Sequence, residues 1–378
     1  MPHSLQPRPA QDVRRRPFAT PHPITASAWV LEHPMRHDDE QVPATSLLFV
    51  PFGPPPEAGW PLLAWVHGTT TGGAPDRAPS LSETLDGGLT GDGYVTDYVD
   101  AIDRMLRSGF AVVAPDLEGL GPTAATPHPY YGADSLARSV NGAVRAARDV
   151  EPSLARAWGV IGHSEGGHGS LATESLAHEL PDADLVGTVA FAPFTSVTAI
   201  VDYHGDQAIR HPEEAFDHVV QQNFNVALIA AGLRALDDGF DFGSVMGVDL
   251  AAVMPTLTAT GSVGIVSAIA DSITRASIRD FRGLRPGWDL VPTVRRFLER
   301  NDLAIMPRFR PERPTLILQG DVDVSVPEPI TRAFLHNLGP RAQNIAYRCY
   351  PGVDHFQIVR EGLPAALEFL HHHFDAQR

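Results

Sequence analysis

The pentapeptide Gly162-His163-Ser164-Glu165-Gly166 is the segment of the sequence best suited to chemistry. It follows a short apolar run at 158–161 and precedes a helical pattern at 169–179, which places it between a strand and a helix. Glycine on both sides of Ser164 permits the sharp turn that exposes a nucleophilic hydroxyl. The helix that follows contributes partial positive charge where an oxyanion would form. The pattern therefore predicts Ser164 as a nucleophile.

A serine nucleophile requires a base to take its proton and an acid to orient that base. For this kind of turn the chain order is serine, acid, histidine. Asp321 and Asp323 both follow a later apolar run, and Asp323 is preferred because Asp321, directly after a glycine, is better placed to shape the turn. Glu328 is a third candidate, interpreted as a solvated residue at a helix start. His355, in the loop after the last predicted strand, is the predicted base.

The oxyanion of an acyl-transfer reaction needs two backbone N–H donors. Glu165, the residue after the nucleophile, provides one. Thr69, or alternatively Thr70, is predicted to provide the other, in a Gly-rich turn after the run 62–66. The side chain of Glu165 is expected either to make a buried hydrogen bond to a cap or to be solvated. Candidate substrate contacts are His67, Gly68, Tyr130, His163, Phe224 and Phe242, the last two being alternatively part of a cap's own core.

Short apolar runs alternate with helical patterns along most of the chain, which is typical of parallel strands covered on both faces. Strands are expected at 26–31, 45–50, 62–66, 110–114, 158–161, 185–191, 315–318 and 344–350. Helices are expected at 98–107, 135–149, 169–179 and 363–374. We predict an α/β fold with a mostly parallel, doubly wound sheet.

Residues 196–313 interrupt this alternation, because they contain helical patterns but no clear strand. Helices are expected there at 213–236, 248–254, 262–278 and 291–298. The block is too long for a loop, so we predict a helical cap inserted before the strand that carries the acid. The catalytic domain would then comprise 26–195 and 314–378. The Pro- and Arg-rich segment 1–25 is predicted to be a flexible arm.

Composition excludes several classes of protein. The 29 basic residues are all Arg and face 45 acidic ones, for a net charge of −16, which argues against nucleic-acid binding. Without Lys there is no Schiff-base chemistry. A lone cysteine, Cys349, cannot form an intrachain disulfide or a cysteine zinc site, and consecutive histidines at 371–373 point in different directions on a helix. We predict no cofactor and no metal.

The sequence has neither a signal-peptide core nor an apolar run long enough to cross a membrane. We therefore predict a cytoplasmic location, although a mature secreted form would look similar. The oligomeric state is left open.

Several segments, in order from about residue 26 onward, resemble the secretory lipase group of α/β-hydrolases, which includes the fungal lipase-A type. The matching segments are His67-Gly68-Thr69, Ala78-Pro79-Ser80, Asp116-Leu117-Glu118-Gly119-Leu120-Gly121, His128-Pro129-Tyr130, the helix at 141–148, the turn at 162–167 and the Asp323 and His355 segments. The resemblance implies an α/β-hydrolase fold with a lid, and a Ser164, Asp323 and His355 triad. Arg77 stands where fungal members carry a cysteine, so their disulfide is absent.

These observations predict a serine carboxylic-ester hydrolase, an esterase or lipase, that acts on a small-molecule or lipid ester through an acyl-enzyme. The departures from the secreted members favour a smaller or more soluble ester. An acyltransferase on the same scaffold, a peptidase of prolyl-oligopeptidase type and a non-catalytic binding module are the alternatives. The peptidase reading is disfavoured because the N-terminal segment is too short for a propeller domain, and the binding module because the triad is intact.

Overall fold

A computed structural model describes residues 13–18, 26–69, 94–121 and 127–376 of the chain. Within those ranges a single sheet of nine strands runs in the spatial order β1-β2-β3-β5-β4-β6-β7-β8-β9. The strands are β1 (Arg14–Pro17), β2 (Ala26–His37), β3 (Glu40–Pro51), β4 (Trp60–Val66), β5 (Ala111–Pro115), β6 (Leu154–His163), β7 (Asp184–Phe191), β8 (Thr315–Gly320) and β9 (Ile345–Tyr350). In this spatial order, the six strands β5, β4, β6, β7, β8 and β9 are each parallel to their neighbours. The strands β1, β2 and β3 pair antiparallel with one another, and β3 pairs antiparallel with β5.

Helices cover both faces of this sheet, as its continuous apolar strands require. The helices are α1 (Tyr94–Arg107), α2 (Ala133–Val150), α3 (Glu165–Thr173), α4 (Val197–Arg210), α5 (Ala215–Leu236), α6 (Val248–Ala276), α7 (Pro292–Asn301), α8 (Glu328–Leu338) and α9 (Gln357–Asp375). On β4, Leu63 and Trp65 pack in one cluster with α1 and α9, while Leu62 and Ala64 pack in another with α2. The predicted doubly wound sheet is confirmed.

The N-terminal strands differ from the sequence-based expectation. Two short strands were expected at 26–31 and 45–50, but β2 and β3 extend to twelve residues each and meet at a tight turn. Part of the predicted flexible arm is itself a strand, because Arg14–Pro17 pairs with the outer edge of β2. An exposed edge offers unpaired backbone N–H and C=O groups, and a short Arg-rich segment can cover them.

The region 196–313 contains α4 to α7 between β7 and β8. Helix α4 was missed because its buried stripe is narrow and includes His204. The patterns at 248–254 and 262–278 belong to one helix, α6, which continues through Pro255. Residues on both sides of this proline, including Leu250 and Ile265, pack in the same hydrophobic cluster, and that burial outweighs the hydrogen bond which proline removes.

The insert is bonded to the sheet domain at several points. The hydroxyl of Tyr131 donates to Oδ1 of Asn225 on α5 at 3.0 Å. At the two ends of the insert, the N–H of Ala304 donates to the carbonyl of Thr195 at 3.0 Å. Within the insert, the hydroxyl of Ser196 donates to Oδ2 of Asp302 at the same distance, which joins its two ends. Burial raises the pKa of Asp302 to about 6. The insert's function as a lid stays a prediction.

No helix in the described ranges has the length and apolar character needed to span a membrane.

Candidate active site

The turn between β6 and α3 holds Ser164 in a strained backbone conformation. Its φ and ψ are 58° and −119°, a region that few residues other than glycine adopt. A Cβ at Gly162 would overlap the carbonyl of Gly166, and a Cβ at Gly166 would overlap the carbonyl oxygens of Val66 and His67. The two glycines thus allow α3 to lie directly against β6 and against the end of β4.

Ser164, His355 and Asp323 come together at the carboxyl ends of their strands. Oγ of Ser164 lies 3.0 Å from Nε2 of His355, and Nδ1 of His355 lies 2.7 Å from Oδ2 of Asp323. Because the carboxylate accepts, Nδ1 carries the proton, and Nε2 is then free to accept from the serine hydroxyl. Ser164 and His355 are each 5% exposed and Asp323 is 4% exposed, so bulk water screens these contacts little.

The carboxylate of Asp323 is held by the loop that follows β8. Oδ1 accepts from the N–H groups of Ser325 at 2.9 Å and Val326 at 2.7 Å. Oδ2 accepts from Nε2 of Gln319 at 2.9 Å in addition to the imidazole of His355. These bonds fix the carboxylate and leave one of its oxygens for the histidine.

The two other carboxylates considered from the sequence lie elsewhere. Asp321 is exposed, and its Oδ1 accepts from the N–H of Gly352 at 2.6 Å, which joins the β8 turn to the loop after β9. Glu328 is buried rather than solvated, and it accepts from the hydroxyl of Tyr347 at 2.6 Å and pairs with Arg332. Asp323 is therefore the carboxylate that the structure brings to His355.

The predicted oxyanion donors lie on adjacent segments. Strand β4 pairs with β6, so the His67–Thr69 turn lies beside the Ser164 turn. The N–H of Gly68 donates to the hydroxyl of Tyr98 on α1 at 3.0 Å, which fixes the backbone just before Thr69. Glu165 is the first residue of α3, where a backbone N–H has no carbonyl partner within the helix. Thr70 lies outside the described residues.

The side chain of Glu165 is fully buried behind the nucleophile, so the alternative of a solvated carboxylate is wrong. Its Oε1 accepts from Nε2 of His128 at 3.2 Å and from the N–H of Tyr131 at 3.1 Å, in the segment before α2 rather than in the insert. Burial opposes both charges, yet the carboxylate raises the pKa of His128 and the imidazole lowers the pKa of Glu165. The two groups form a buried ion pair.

The remaining predicted substrate contacts are buried in the protein. His67 lies with Nδ1 2.8 Å from the carbonyl oxygen of Gly68, and burial lowers its pKa to about 4. Nδ1 of His163 lies 2.7 Å from the hydroxyl of Tyr98, and its Nε2 lies 2.7 Å from the carbonyl oxygen of His355. Tyr130 is 4% exposed and packs with the insert.

Phe224 and Phe242 pack against the insert's own hydrophobic cluster, which is the second of the two alternatives predicted for them. The guanidinium of Arg234 lies 4.6 Å from the ring centre of Phe242. This environment stabilises the insert and supplies no evidence for an acyl pocket at these two residues.

Tyr98 and Gln319 are site residues that sequence reasoning missed. Tyr98 is brought in by long-range packing, whereas Gln319 lies only four residues before Asp323, and no local motif marks either one. The sequence marks His128 only as part of the family-like segment His128-Pro129-Tyr130, because its partner Glu165 is distant in the chain. Across the described ranges, no group of three or more His, Cys, Asp or Glu side chains is arranged to hold a metal ion.

Comparisons with known proteins bear on the family and the fold. The family model described as Secretory lipase matches residues 95–210. The predicted resemblance is confirmed. The chain is a hydrolase of carboxylic ester bonds with the α/β-hydrolase fold, and its residues 95–210 are similar to the secretory lipase family. No curated protein matches the sequence significantly.

Solved structures of an esterase, a lipase and a putative hydrolase share the fold. The rice cell wall degrading esterase LipA from Xanthomonas oryzae is 20% identical, with 95% of this chain and 93% of that chain covered and a TM-score of 0.67. Candida antarctica lipase A in its closed state is 17% identical, with 97% and 82% covered and a TM-score of 0.69. A putative hydrolase from Legionella pneumophila is 18% identical, with 91% and 88% covered and a TM-score of 0.67. At these identities the likeness confirms the predicted α/β-hydrolase fold.

Proposed function

We propose that this secretory-lipase-type hydrolase cleaves carboxylic esters through an acyl-enzyme on Ser164. The observation that carries the proposal is the position of His355, whose two ring nitrogens lie within hydrogen-bond distance of Ser164 and Asp323. His355 takes the hydroxyl proton as Oγ attacks the ester carbonyl, and Asp323 stabilises the imidazolium that results. A neutral, correctly oriented base is what this first step requires.

The tetrahedral intermediate carries a negative charge that needs donors already in place. The backbone N–H groups of Thr69 and Glu165 would bind this oxyanion. The first turn of α3 adds the positive end of the helix dipole at the same place. His355 then gives its proton to the leaving alcohol, and the acyl group stays on Ser164. Water enters, His355 takes a proton from it, and the same steps release the carboxylic acid.

We propose a smaller or more soluble ester as substrate rather than a long-chain lipid. The support is the set of departures from the secreted family members, above all Arg77 at the position of their cysteine. A cytoplasmic location, also predicted from the sequence, stays part of this proposal. A panel of p-nitrophenyl esters from acetate to palmitate should show the highest kcat/KM at short acyl chains. A maximum at palmitate would contradict the substrate class without contradicting the mechanism.

The nucleophile can be tested with a fluorophosphonate probe, which labels an activated serine covalently. Wild-type protein should be labelled and inactivated, and Ser164→Ala should be neither labelled nor active while keeping the wild-type Tm. Ser175→Ala is the matched control, because that hydroxyl only donates to the carbonyl of Ala172. Labelling that persists in Ser164→Ala would contradict the assignment. The rates of hydrolysis and of alcoholysis of one activated ester distinguish an ester hydrolase, in which hydrolysis is faster, from an acyltransferase, in which alcoholysis is faster.

A further inference from the structure

His163, the residue just before the nucleophile, lies at the centre of a buried chain of hydrogen bonds. Its side chain is completely shielded from solvent. Nε2 lies 2.7 Å from the main-chain carbonyl oxygen of His355, and Nδ1 lies 2.7 Å from the hydroxyl of Tyr98. The same hydroxyl receives the N–H of Gly68 at 3.0 Å. The chain therefore connects the β9–α9 loop, the β6–α3 turn and the β4 loop.

The directions of these bonds follow from the chemistry of the groups. A main-chain carbonyl only accepts, so Nε2 of His163 must carry the ring proton. Nδ1 then accepts from the hydroxyl of Tyr98, which leaves the tyrosine oxygen to accept from the N–H of Gly68. All three bonds are satisfied by a neutral His163 with its proton on Nε2. A doubly protonated ring would lose its acceptor toward Tyr98.

We infer that His163 is a positioning residue: it holds the backbone of the base His355 and, through Tyr98, the backbone before the oxyanion donor Thr69, in register with Ser164. This inference rests on the proposed function. The three reacting parts lie on three different loops, and small errors in their relative position reduce the rate steeply. One buried side chain that bonds directly to the His355 loop, reaches the Gly68 loop through Tyr98 and follows directly into the Ser164 turn reduces the freedom of the three segments to move apart.

The neutral state of His163 also suits the reaction. The ring centres of His163 and His355 lie 4.7 Å apart. When His355 becomes an imidazolium, a second cation at that distance would oppose it. Burial, and secondarily the proximity of His355, lowers the pKa of His163 well below its ordinary value, which keeps the ring uncharged.

Two amide substitutions separate the bonds of His163. The amide nitrogen of Gln superimposes on Nε2 of histidine, so His163→Gln keeps the donor to the His355 carbonyl and loses the acceptor for Tyr98. The amide oxygen of Asn superimposes on Nδ1, so His163→Asn keeps the acceptor for Tyr98 and loses the donor to His355. Each variant loses one buried hydrogen bond, so comparable decreases in Tm are expected.

Positioning of the base predicts different effects on turnover. His163→Asn should lower kcat by about 10- to 100-fold with KM nearly unchanged, because the displaced groups act in the transition state. The kcat of His163→Gln should be at least about tenfold higher than that of His163→Asn, although the Tm of the two variants is similar. Equal kcat losses in the two variants, or a change confined to KM, would overturn the inference.

Tyr98→Phe tests the other end of the chain. It leaves the N–H of Gly68 without the tyrosine hydroxyl, so the oxyanion loop should lose its fixed position while the His355 carbonyl keeps its donor. We expect a fall in kcat, and in the double variant with His163→Asn the two losses should not simply add, because the two side chains are hydrogen-bonded to each other. A Tyr98→Phe variant with wild-type kcat would overturn the connection to the oxyanion loop.

A measurement without substrate keeps this inference distinct from the proposed function. In ¹⁵N NMR of histidine-labelled protein at pH 7, the signal lost in both His163 variants should be a neutral imidazole protonated on Nε2. A signal from an imidazolium, or from a ring protonated on Nδ1, would overturn the inference. If wild-type protein fails to react with the fluorophosphonate, the proposed function fails, and the ring signal still decides whether His163 donates to His355.

Discussion

The carboxylate of Glu165 lies 3.2 Å from Nε2 of His128, and both side chains are about 1% exposed. Glu165 directly follows Ser164, so this ion pair lies immediately behind the nucleophile. A second bond from the N–H of Tyr131 attaches the same carboxylate to the segment that precedes α2. The start of α3 is therefore held in place by charge as well as by packing.

Glu165→Gln should destabilise the protein because it removes the negative partner of a buried imidazolium. We expect a loss of about 1–3 kcal/mol in the free energy of unfolding at pH 6, less than for an unrelieved buried charge because His128 can release its proton. The raised pKa of His128 makes the pair's stabilisation fully present below pH 6.5 and lost as pH rises through the folded value. The lowered pKa of Glu165 makes it present above pH 4.5 and lost on acidification.

Urea unfolding of wild type and Glu165→Gln between pH 4 and 9 measures this difference, which should be greatest between about pH 4.5 and 6.5. Glu361→Gln is the control, since its exposed pair with Arg360 should contribute less than about 1 kcal/mol. A difference that is independent of pH would show that the pair is uncharged.

Asp302→Asn should change how stability depends on pH. The pKa of Asp302 is raised from 3.8 to about 6, so the folded protein keeps a proton that the unfolded chain releases, and stability falls as pH rises across that window. The fall attributable to this group amounts to about 3 kcal/mol, since each pKa unit corresponds to about 1.4 kcal/mol. Asparagine does not titrate, so the variant should lack this slope. Asp271→Asn, an exposed residue of α6, should retain it in urea unfolding from pH 4 to 7.

Gly166→Ala should damage both folding and catalysis. The added methyl group would overlap the carbonyl oxygens of Val66 and His67 and push α3 away from the oxyanion loop. We expect a destabilisation of about 1–3 kcal/mol, as for other overpacked positions, together with a fall in kcat/KM of about 100-fold. Gly187→Ala on β7 is the comparison, because its methyl group meets its nearest atom at 3.6 Å. Calorimetry and ester kinetics on both variants would show whether the close approach at Gly166 is required.

Asp323→Asn and Asp321→Asn form a matched pair. An amide at Asp323 can present its NH2 group to Nδ1 of His355 and favour the wrong tautomer, so kcat should fall by about 10⁴-fold. Asp321 is exposed and bonds only to the turn at Gly352, so its variant should keep kcat within about threefold of wild type. Steady-state kinetics with p-nitrophenyl acetate tests both. A larger loss for Asp321→Asn would reverse the assignment of the acid.

Local chemistry explains what the sequence could predict about the site. Ser164 is marked by flanking glycines whose positions the turn demands, and the chain order of this turn type leads to His355. The choice between Asp321 and Asp323 has a local basis too, although the decisive contacts are the N–H groups of Ser325 and Val326, which only the folded loop displays. The alternation of strand and helix patterns was sufficient to predict a mostly parallel, doubly wound sheet.

Long-range contacts explain what the sequence could not predict. The burial of Glu165 depends on His128, and the placement of His163 depends on Tyr98, residues that packing alone brings together. Helix α6 passes through Pro255 because apolar residues on both sides share one cluster, a cooperative effect that propensity does not contain. The strand at Arg14–Pro17 forms because β2 offers a free edge, which is a property of the sheet.

The hydrogen bond from Ala304 to Thr195 has a consequence for how this chain can be altered. It places the two ends of the segment between them side by side, as in domains that accept inserted modules. The segment could therefore be exchanged for a shorter linker or for the equivalent segment of another hydrolase without separating β7 from β8, which already pair directly. Such chimeras would leave the sheet that carries Ser164, Asp323 and His355 unchanged.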